Sequence, residues 1–366
     1  MYSLPSAPRL NVSTFARLFS DTTNSYKHLF FQALLASLLK TDFKEARIPL
    51  DRIIEDICKK ARYPISVCKL NFGKQDQMLK FINDEKLARK ELLKYVPTRI
   101  ISVFFEQEWR DYEALKRNEV NNSRKSFDYL KETFLREVSD REFLTKKPLY
   151  RFIQLSDLEV QPEWLLYIKE NYLVIESWAK WHWLEYLQRR NPNVPSIATK
   201  LEEPNTRASL KKQTEFWSKF ILEKGFRCIY SSELITSDKF ELDHFLPWSF
   251  VGHDRIWNLV PVSKSANSSK SDSLAHYKYI KPFILGHYEI LQYYLKESSS
   301  GIKMKHFSDF SEEYEMDLKV NLNPDLSFQK FKYNFCSNLH PMLKLASNSG
   351  FSSGWEYVQV KDKSNR

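Results

Sequence analysis

Glycine is nearly missing from this chain: there are 7 glycines in 366 residues, where an average protein carries about 7%. Glycine opens left-handed backbone and lets a main chain close tightly on a phosphate. Its scarcity therefore excludes several architectures at once. No two glycines stand in a G-x-G pattern, which removes both the dinucleotide-binding turn and the glycine-rich phosphate loop. With 42% hydrophobic and 15% aromatic residues, the chain has ample material for a packed core and little for tight turns. That balance predicts a globular, helix-rich protein, and the length allows two or three domains.

Cys58, Cys68, Cys228 and Cys336 lie too far apart to form a CxxC pair. Neither a disulfide scaffold nor a cysteine-built zinc site is expected. The opening MYSLPSAPRLNVSTF has no apolar run after a basic start. The most apolar stretch, HLFFQALLASLL (28–39), falls short of the ~20 residues that cross a bilayer. The expected setting is cytoplasmic, with no membrane partner. The 56 Lys+Arg against 46 Asp+Glu leave a net charge of +10, which suits a polyanionic partner without identifying one.

Between residues 12 and 190 the pattern is helical. Leu29, Phe30, Ala33, Leu34, Ser37 and Leu38 recur at the 3.6-residue period. A second helix starts after Pro49, with Asp51 as N-cap and Ile53, Ile54, Ile57 and Ala61 inward. Residues 85–96, 102–119 and 123–137 read as charged amphipathic helices, the last with Phe127, Leu130 and Phe134 along one stripe. The longest helix spans 162–190 and ends at Asn191-Pro192. In its WAKWHW run, Trp178 and Trp181 continue a buried stripe with Leu173 and Ile175, so core packing is a better account of the tryptophans than base stacking.

Residues 191–206 hold three prolines and little apolar content, and read as a linker. A helix over 207–224 buries Trp217, Phe220 and Ile221 and stops at Gly225. FRCIY (226–230), KFELDH (239–244) and NLVPVS (258–263) read as strands, and 265–275 as the start of a helix. PFILGHYEILQYYLK is helical, KESSSG (296–301) is a loop, and the tail with Lys361, Lys363 and Arg366 is frayed. The fold class is α+β and predominantly α-helical. The domains are 1–190 (helical, for sensing, docking or dimerisation), a linker at 191–206, 207–295 with the chemistry, and a C-terminal helical extension and tail at 296–366.

The chemistry lies in ELDHFLPWSFVGHDRIWNLVPVSKSANSSKSDSLA (241–275). Asp243 and His244 end one strand, Asn258 follows 14 positions later, and Asn267 another 9 positions on, in the first turn of a helix. Phosphodiester hydrolysis needs a base for water and a cation for the phosphate and the leaving oxygen. An imidazole supplies the base near neutral pH. One carboxylate and one amide oxygen suffice for a hard, hydrated cation. Successive strand residues point to opposite sides, so Asp243 and His244 serve one phosphate only if the strand ends there, and Pro247 makes that break.

This arrangement resembles the HNH (ββα-metal) nuclease motif, in the variant whose last His is Asn. It is most similar to the HNH domain of CRISPR RNA-guided effector nucleases, where Lys-Ser-Asp also follows, as in Lys270-Ser271-Asp272. The resemblance covers residues 226–275 and implies a small ββα nuclease unit flanked by helices. It implies His244 as general base, Asp243 and Asn267 as metal ligands, Asn258 as a residue holding the loop or the His ring, and Lys270 as a phosphate contact. Glu241 stands on the Asp243 face as a supporting or alternative ligand. The cofactor implied is one Mg²⁺ or Mn²⁺. Ser231, Ser263 and Ala266 stand where related proteins carry zinc-binding cysteines, so no structural zinc is expected.

The implied activity is metal-dependent DNA cleavage, with RNA as the alternative substrate. A homodimer, a regulatory partner protein and service in bacterial anti-phage defence or mobile elements extend the same resemblance. A non-catalytic nucleic-acid-binding or scaffold protein that keeps the ββα shape is the competing reading. Lys211, Lys212, Lys219, Lys224, Arg227 and Lys264 offer phosphate contacts beside the motif, against a simple solvated face. His253 reads as an exposed loop side chain, and Glu312, Glu313, Glu315 and Asp317 as a solvated acidic surface.

Overall fold

The computed structural model describes residues 4–116, 124–154, 156–300 and 305–359. The chain is a predominantly α-helical α+β protein that divides into two compact units, residues 1–192 and 193–366. Among the described residues no helix is long and apolar enough to cross a membrane. The expectations for residues 117–119 and for the tail 361–366 lie outside the described residues.

The first unit is built around α1 (Tyr26–Lys40), buried on nearly every side from His28 to Leu38. It packs on α2 (Leu50–Arg62), α3 (Glu85–Ile101) and α7 (Tyr172–Arg190). Pro49 itself occupies the N-cap of α2, at φ −62° and ψ 131°, which moves Asp51 into the first turn. There the carboxylate favours the positive end of the helix dipole instead of capping it. Between α3 and the end of the unit come α4 (Glu106–Lys116), α5 (Arg124–Arg141) and α6 (Pro162–Glu170).

Two features depart from the helical reading. β1 (Arg47–Pro49), β2 (Tyr150–Ile153) and β3 (Asp157–Val160) form an antiparallel sheet in the order β1-β3-β2. Strands this short give barely two alternations, too little for a period-2 signal between long helical stretches. The helix expected over 162–190 is broken at Asn171, whose main-chain N–H and Nδ2 both donate to Tyr167 O at 3.1 and 2.9 Å. The buried stripe of α7 runs Ile175, Ala179, Trp183, Tyr186 and Leu187. Leu173 and Trp181 fall on the opposite side and are exposed, a phase error of about 100° per residue. Trp178 stacks on Phe15 at 5.6 Å.

In the second unit, α8 (Lys211–Lys224), α10 (Ile280–Ser299), α11 (Phe307–Leu318) and α12 (Phe328–Asn348) surround a small ββα element. That element is β6 (Glu241–His244), β7 (Leu259–Val262) and α9 (Lys264–Lys270). A stacked ring pair ties the end of its first strand to α10, Phe245 on Phe283 at 4.0 Å, and Phe216 on Tyr294 at 4.2 Å joins α8 to α10. Of FRCIY only β4 (Phe226–Arg227) is strand, paired with β5 (Leu234–Ile235); β8 (Leu274–Ala275) pairs in parallel with β9 (Ser353–Trp355). α10 runs through Ser299, beyond the expected loop start at 296.

The Pro-rich segment is no open tether throughout. Ile197 and Lys200 are buried, and Lys200 Nζ donates to Phe250 O at 2.6 Å. Gly252 lies against this turn at φ +72°, where a Cβ would meet Thr199 Oγ1 at 2.6 Å and Ser196 Cβ at 2.9 Å. Here glycine is required by both backbone and space.

Each core holds a neutral histidine. Burial brings His28 in the first unit and His287 in the second down to about 3. His287 Nδ1 bonds the Tyr314 hydroxyl at 2.6 Å, whereas neither ring nitrogen of His28 has a partner. An unfolded histidine protonates near 6.5, so the unfolded chain binds more protons below that pH. Stability is therefore expected to hold above pH 6.5 and to fall between pH 6.5 and 3, by at most about 1.4 kcal/mol per pH unit for each group. Thermal melts across that range test this, with His28→Leu flattening the decline.

Candidate active site

β6 and β7 pair antiparallel with Asp243 opposite Val260 and His244 opposite Leu259. The strand stops at His244 because the next residues turn inward: Phe245 and Leu246 are fully buried, and Pro247 sets the start of a one-turn helix, Trp248–Val251. Asn258 closes this loop. Its Oδ1 accepts from Leu246 N at 2.8 Å and its Nδ2 donates to Leu246 O at 2.9 Å, so one amide side chain imitates a strand partner. Asn258 is fully buried and does not line the cavity beside His244.

His244 Nε2 lies 2.7 Å from Asp254 Oδ1. The loop carrying Asp254 is fixed from α11, where Glu313 Oε2 accepts from Ile256 N at 2.6 Å and Asp317 Oδ2 accepts from Trp257 Nε1 at 2.8 Å. Arg255 reaches both carboxylates at 3.5 and 3.4 Å. Two members of the acidic cluster thus brace the site rather than face solvent. His253 is half-buried with its ring edge-on to Trp257 at 5.5 Å, and burial holds its pKa down to about 4. It is not the exposed loop side chain expected.

Asp243 is 3% exposed. Tyr230 donates its hydroxyl to Oδ2 at 2.7 Å, and Lys270 Nζ sits 3.0 Å from Oδ1. Burial first, and the Asp243 charge second, push the Tyr230 phenol well above its ordinary value, so it stays a donor. Lys270 also donates to His244 O at 2.8 Å and is completely buried. This corrects the expectation for Lys270. Its ammonium is spent inside the protein, tying α9 to the end of β6, and does not reach out to a phosphate.

Asn267 projects from α9, and its Nδ2 donates to Glu241 Oε2 at 2.8 Å, which leaves Oδ1 as its acceptor face. Glu241 therefore orients Asn267. A cavity of about 380 Å³ is lined by Asp243, His244 and Asn267 together with Arg207, Trp248 and Asp272. The Arg207 guanidinium lies 4.6 Å over the Trp248 ring. Lys211, Lys212, Lys219 and Lys264 are exposed and do not line this cavity. Asp254, Tyr230 and Arg207 were not singled out from the sequence. Asp254 follows His244 by ten positions, but only the loop fold turns it back.

Cys228, Ser231 and Ser263 converge through hydrogen bonds. Ser231 N and Ser263 N donate to Cys228 Sγ at 3.4 and 3.5 Å, and the two serine hydroxyls lie 3.3 Å apart. For a divalent cation, Asp243 and Asn267 offer a carboxylate and an amide oxygen on one cavity. Both Asp243 oxygens already accept one bond, and each retains a lone pair. Among the described residues no three His, Cys, Asp or Glu side chains converge as a closed metal cage. The donor set fits a hydrated, oxygen-loving ion that needs few protein ligands, and not a soft metal.

Residues 228–276 match the model of a family described as HNH endonuclease. No curated protein and no solved structure matches the chain. The matched segment contains every residue lining the cavity except Arg207 and Leu210.

Removing one partner of a buried ion pair strands the other charge, at about 3–5 kcal/mol. Lys270→Met is expected to lower stability by that amount in denaturant unfolding. Lys264→Met, on the exposed side of the same helix, should change it by less than about 0.5 kcal/mol.

Proposed function

We propose that this protein is a metal-dependent endonuclease that hydrolyses DNA phosphodiester bonds at the cavity bounded by Asp243, His244 and Asn267. The observation that carries this reading is the His244–Asp254 contact of 2.7 Å beside two hard oxygen donors. A carboxylate only accepts hydrogen bonds, so Nε2 holds the ring proton and Nδ1 is the basic nitrogen. His244 takes a proton from the attacking water, and Asp254 orients the ring and stabilises the imidazolium that forms. Asp243 and Asn267 would hold the divalent ion, which when bound neutralises charge on the phosphate and on the departing 3′ oxygen. The ends left are 5′-phosphate and 3′-hydroxyl.

Arg207 and Trp248 on the cavity wall suit a neighbouring phosphate and a stacked base. DNA as substrate, Mg²⁺ or Mn²⁺ as the ion, and service in anti-phage defence rest on the resemblance of the motif. The exposed Lys211, Lys212, Lys219 and Lys264 would track the backbone beyond the cavity. One observation favours the competing reading of a non-catalytic binding protein: the Asp243 charge is already compensated by Lys270.

Supercoiled plasmid with Mg²⁺ or Mn²⁺ separates the two. Nicking is expected to fall by about 10²–10⁴ in His244→Ala and by about 10–100-fold in Asp254→Asn, and to stop with EDTA. Nicking unaffected by His244→Ala, or absent from a well-folded wild type with either ion, contradicts the enzyme reading.

A further inference from the structure

The first unit contains a cationic cleft that the nuclease reading does not use. Two adjoining cavities, of about 270 and 380 Å³, share Asp21, Lys27, Ser102 and Lys131 as walls. Lys27 comes from α1, Arg99 from α3 and Lys131 from α5, so three helices deliver one positive charge each to the same space. Arg110 of α4 adds a fourth in the second cavity. Two carboxylates, Asp21 and Glu106, share these walls, and Glu106 is also paired with Arg17 at 3.1 Å. Lys27 Nζ is held at the cleft by Asp21 O at 2.8 Å. Burial lowers the Lys27 pKa; Asp21 and Glu106 oppose that, while Arg99 and Lys131 act in the same direction as burial. Cations that disfavour one another in a partly dry cleft are best relieved by a multiply charged anion.

The walls narrow the class of anion. Thr22, Thr23 and Asn24 add hydroxyl and amide groups beside the cations. Asp21, on the shared wall, would repel a bare phosphate but accepts hydrogen bonds from sugar hydroxyls. Trp109 lines the second cavity with its ring beneath Lys131 Nζ, 5.4 Å from the centroid, and offers an aromatic surface to a base. We propose that this cleft binds a nucleotide, with its phosphates on Lys27, Arg99 and Lys131, its ribose at Asp21 and its base at Trp109. The two cavities together have the size of such a ligand, and the cations converge from several elements rather than forming the stripe that tracks a polymer.

The test uses the full chain with ATP, AMP, inorganic phosphate and adenosine in titration calorimetry at fixed salt. ATP is expected to bind more tightly than AMP, and both at least about tenfold more tightly than phosphate or adenosine. Arg99→Gln and Lys131→Gln should each weaken ATP by about tenfold, with melting temperature showing that they fold. His244→Ala, in the second unit, should leave ATP affinity unchanged, which separates this site from the nuclease reading. Equal binding of ATP and phosphate, no effect of either glutamine variant, or a single-stranded oligonucleotide that binds through Arg99 and Lys131 while ATP does not, would overturn it.

Discussion

A buried ion pair organises the second unit. Lys270 and Asp243 come from opposite ends of the ββα element and meet with almost no solvent access. Desolvating two charges is expensive, and the cost is offset only when the remaining hydrogen-bonding capacity is used. Here it is: Asp243 also accepts from Tyr230, and Lys270 also donates to His244 O. The junction fixes the end of β6 and one face of α9 together. Asn267 lies three residues before Lys270, on a neighbouring position of the same helical face, so anchoring the lysine delivers the asparagine to the cavity.

The rest of the site hangs on that junction and on two amide or carboxylate braces. Asn258 shapes the loop through paired bonds to Leu246, and α11 holds the segment from Asp254 to Trp257 through Glu313 and Asp317. Cys228, Ser231 and Ser263 join by hydrogen bonds what a metal would otherwise staple. Phe283 of α10, stacked on Phe245 at the end of β6, supplies packing that so small a sheet lacks by itself. The ββα element is thus stabilised by the helices around it, and α11 holds the loop whose Asp254 contacts His244.

The motif residues Asp243, His244, Asn258 and Asn267 were legible because their order and offsets are local. The supporting groups were not, for physical reasons. A lysine between serines reads as surface, since lysine is seldom buried without a partner, and the partner of Lys270 is 27 residues away. Glu313 and Asp317 looked solvated because their partners are a backbone N–H and an indole on a distant loop. Helical periodicity placed most of the first unit correctly in kind, yet it missed three short strands and misjudged the phase of α7 at Trp181. The cationic cleft was invisible for the same reason, since Lys27, Arg99 and Lys131 share no local pattern.

On the reading proposed above, the oxygens of Asp243 and Asn267 share a divalent ion within reach of His244. Crystals of the full chain grown with Mn²⁺ and measured near the manganese absorption edge test it directly. The account expects an anomalous peak in the cavity between those two side chains. Saturating Mn²⁺ with no peak there, or a peak only elsewhere in the second unit, would contradict it.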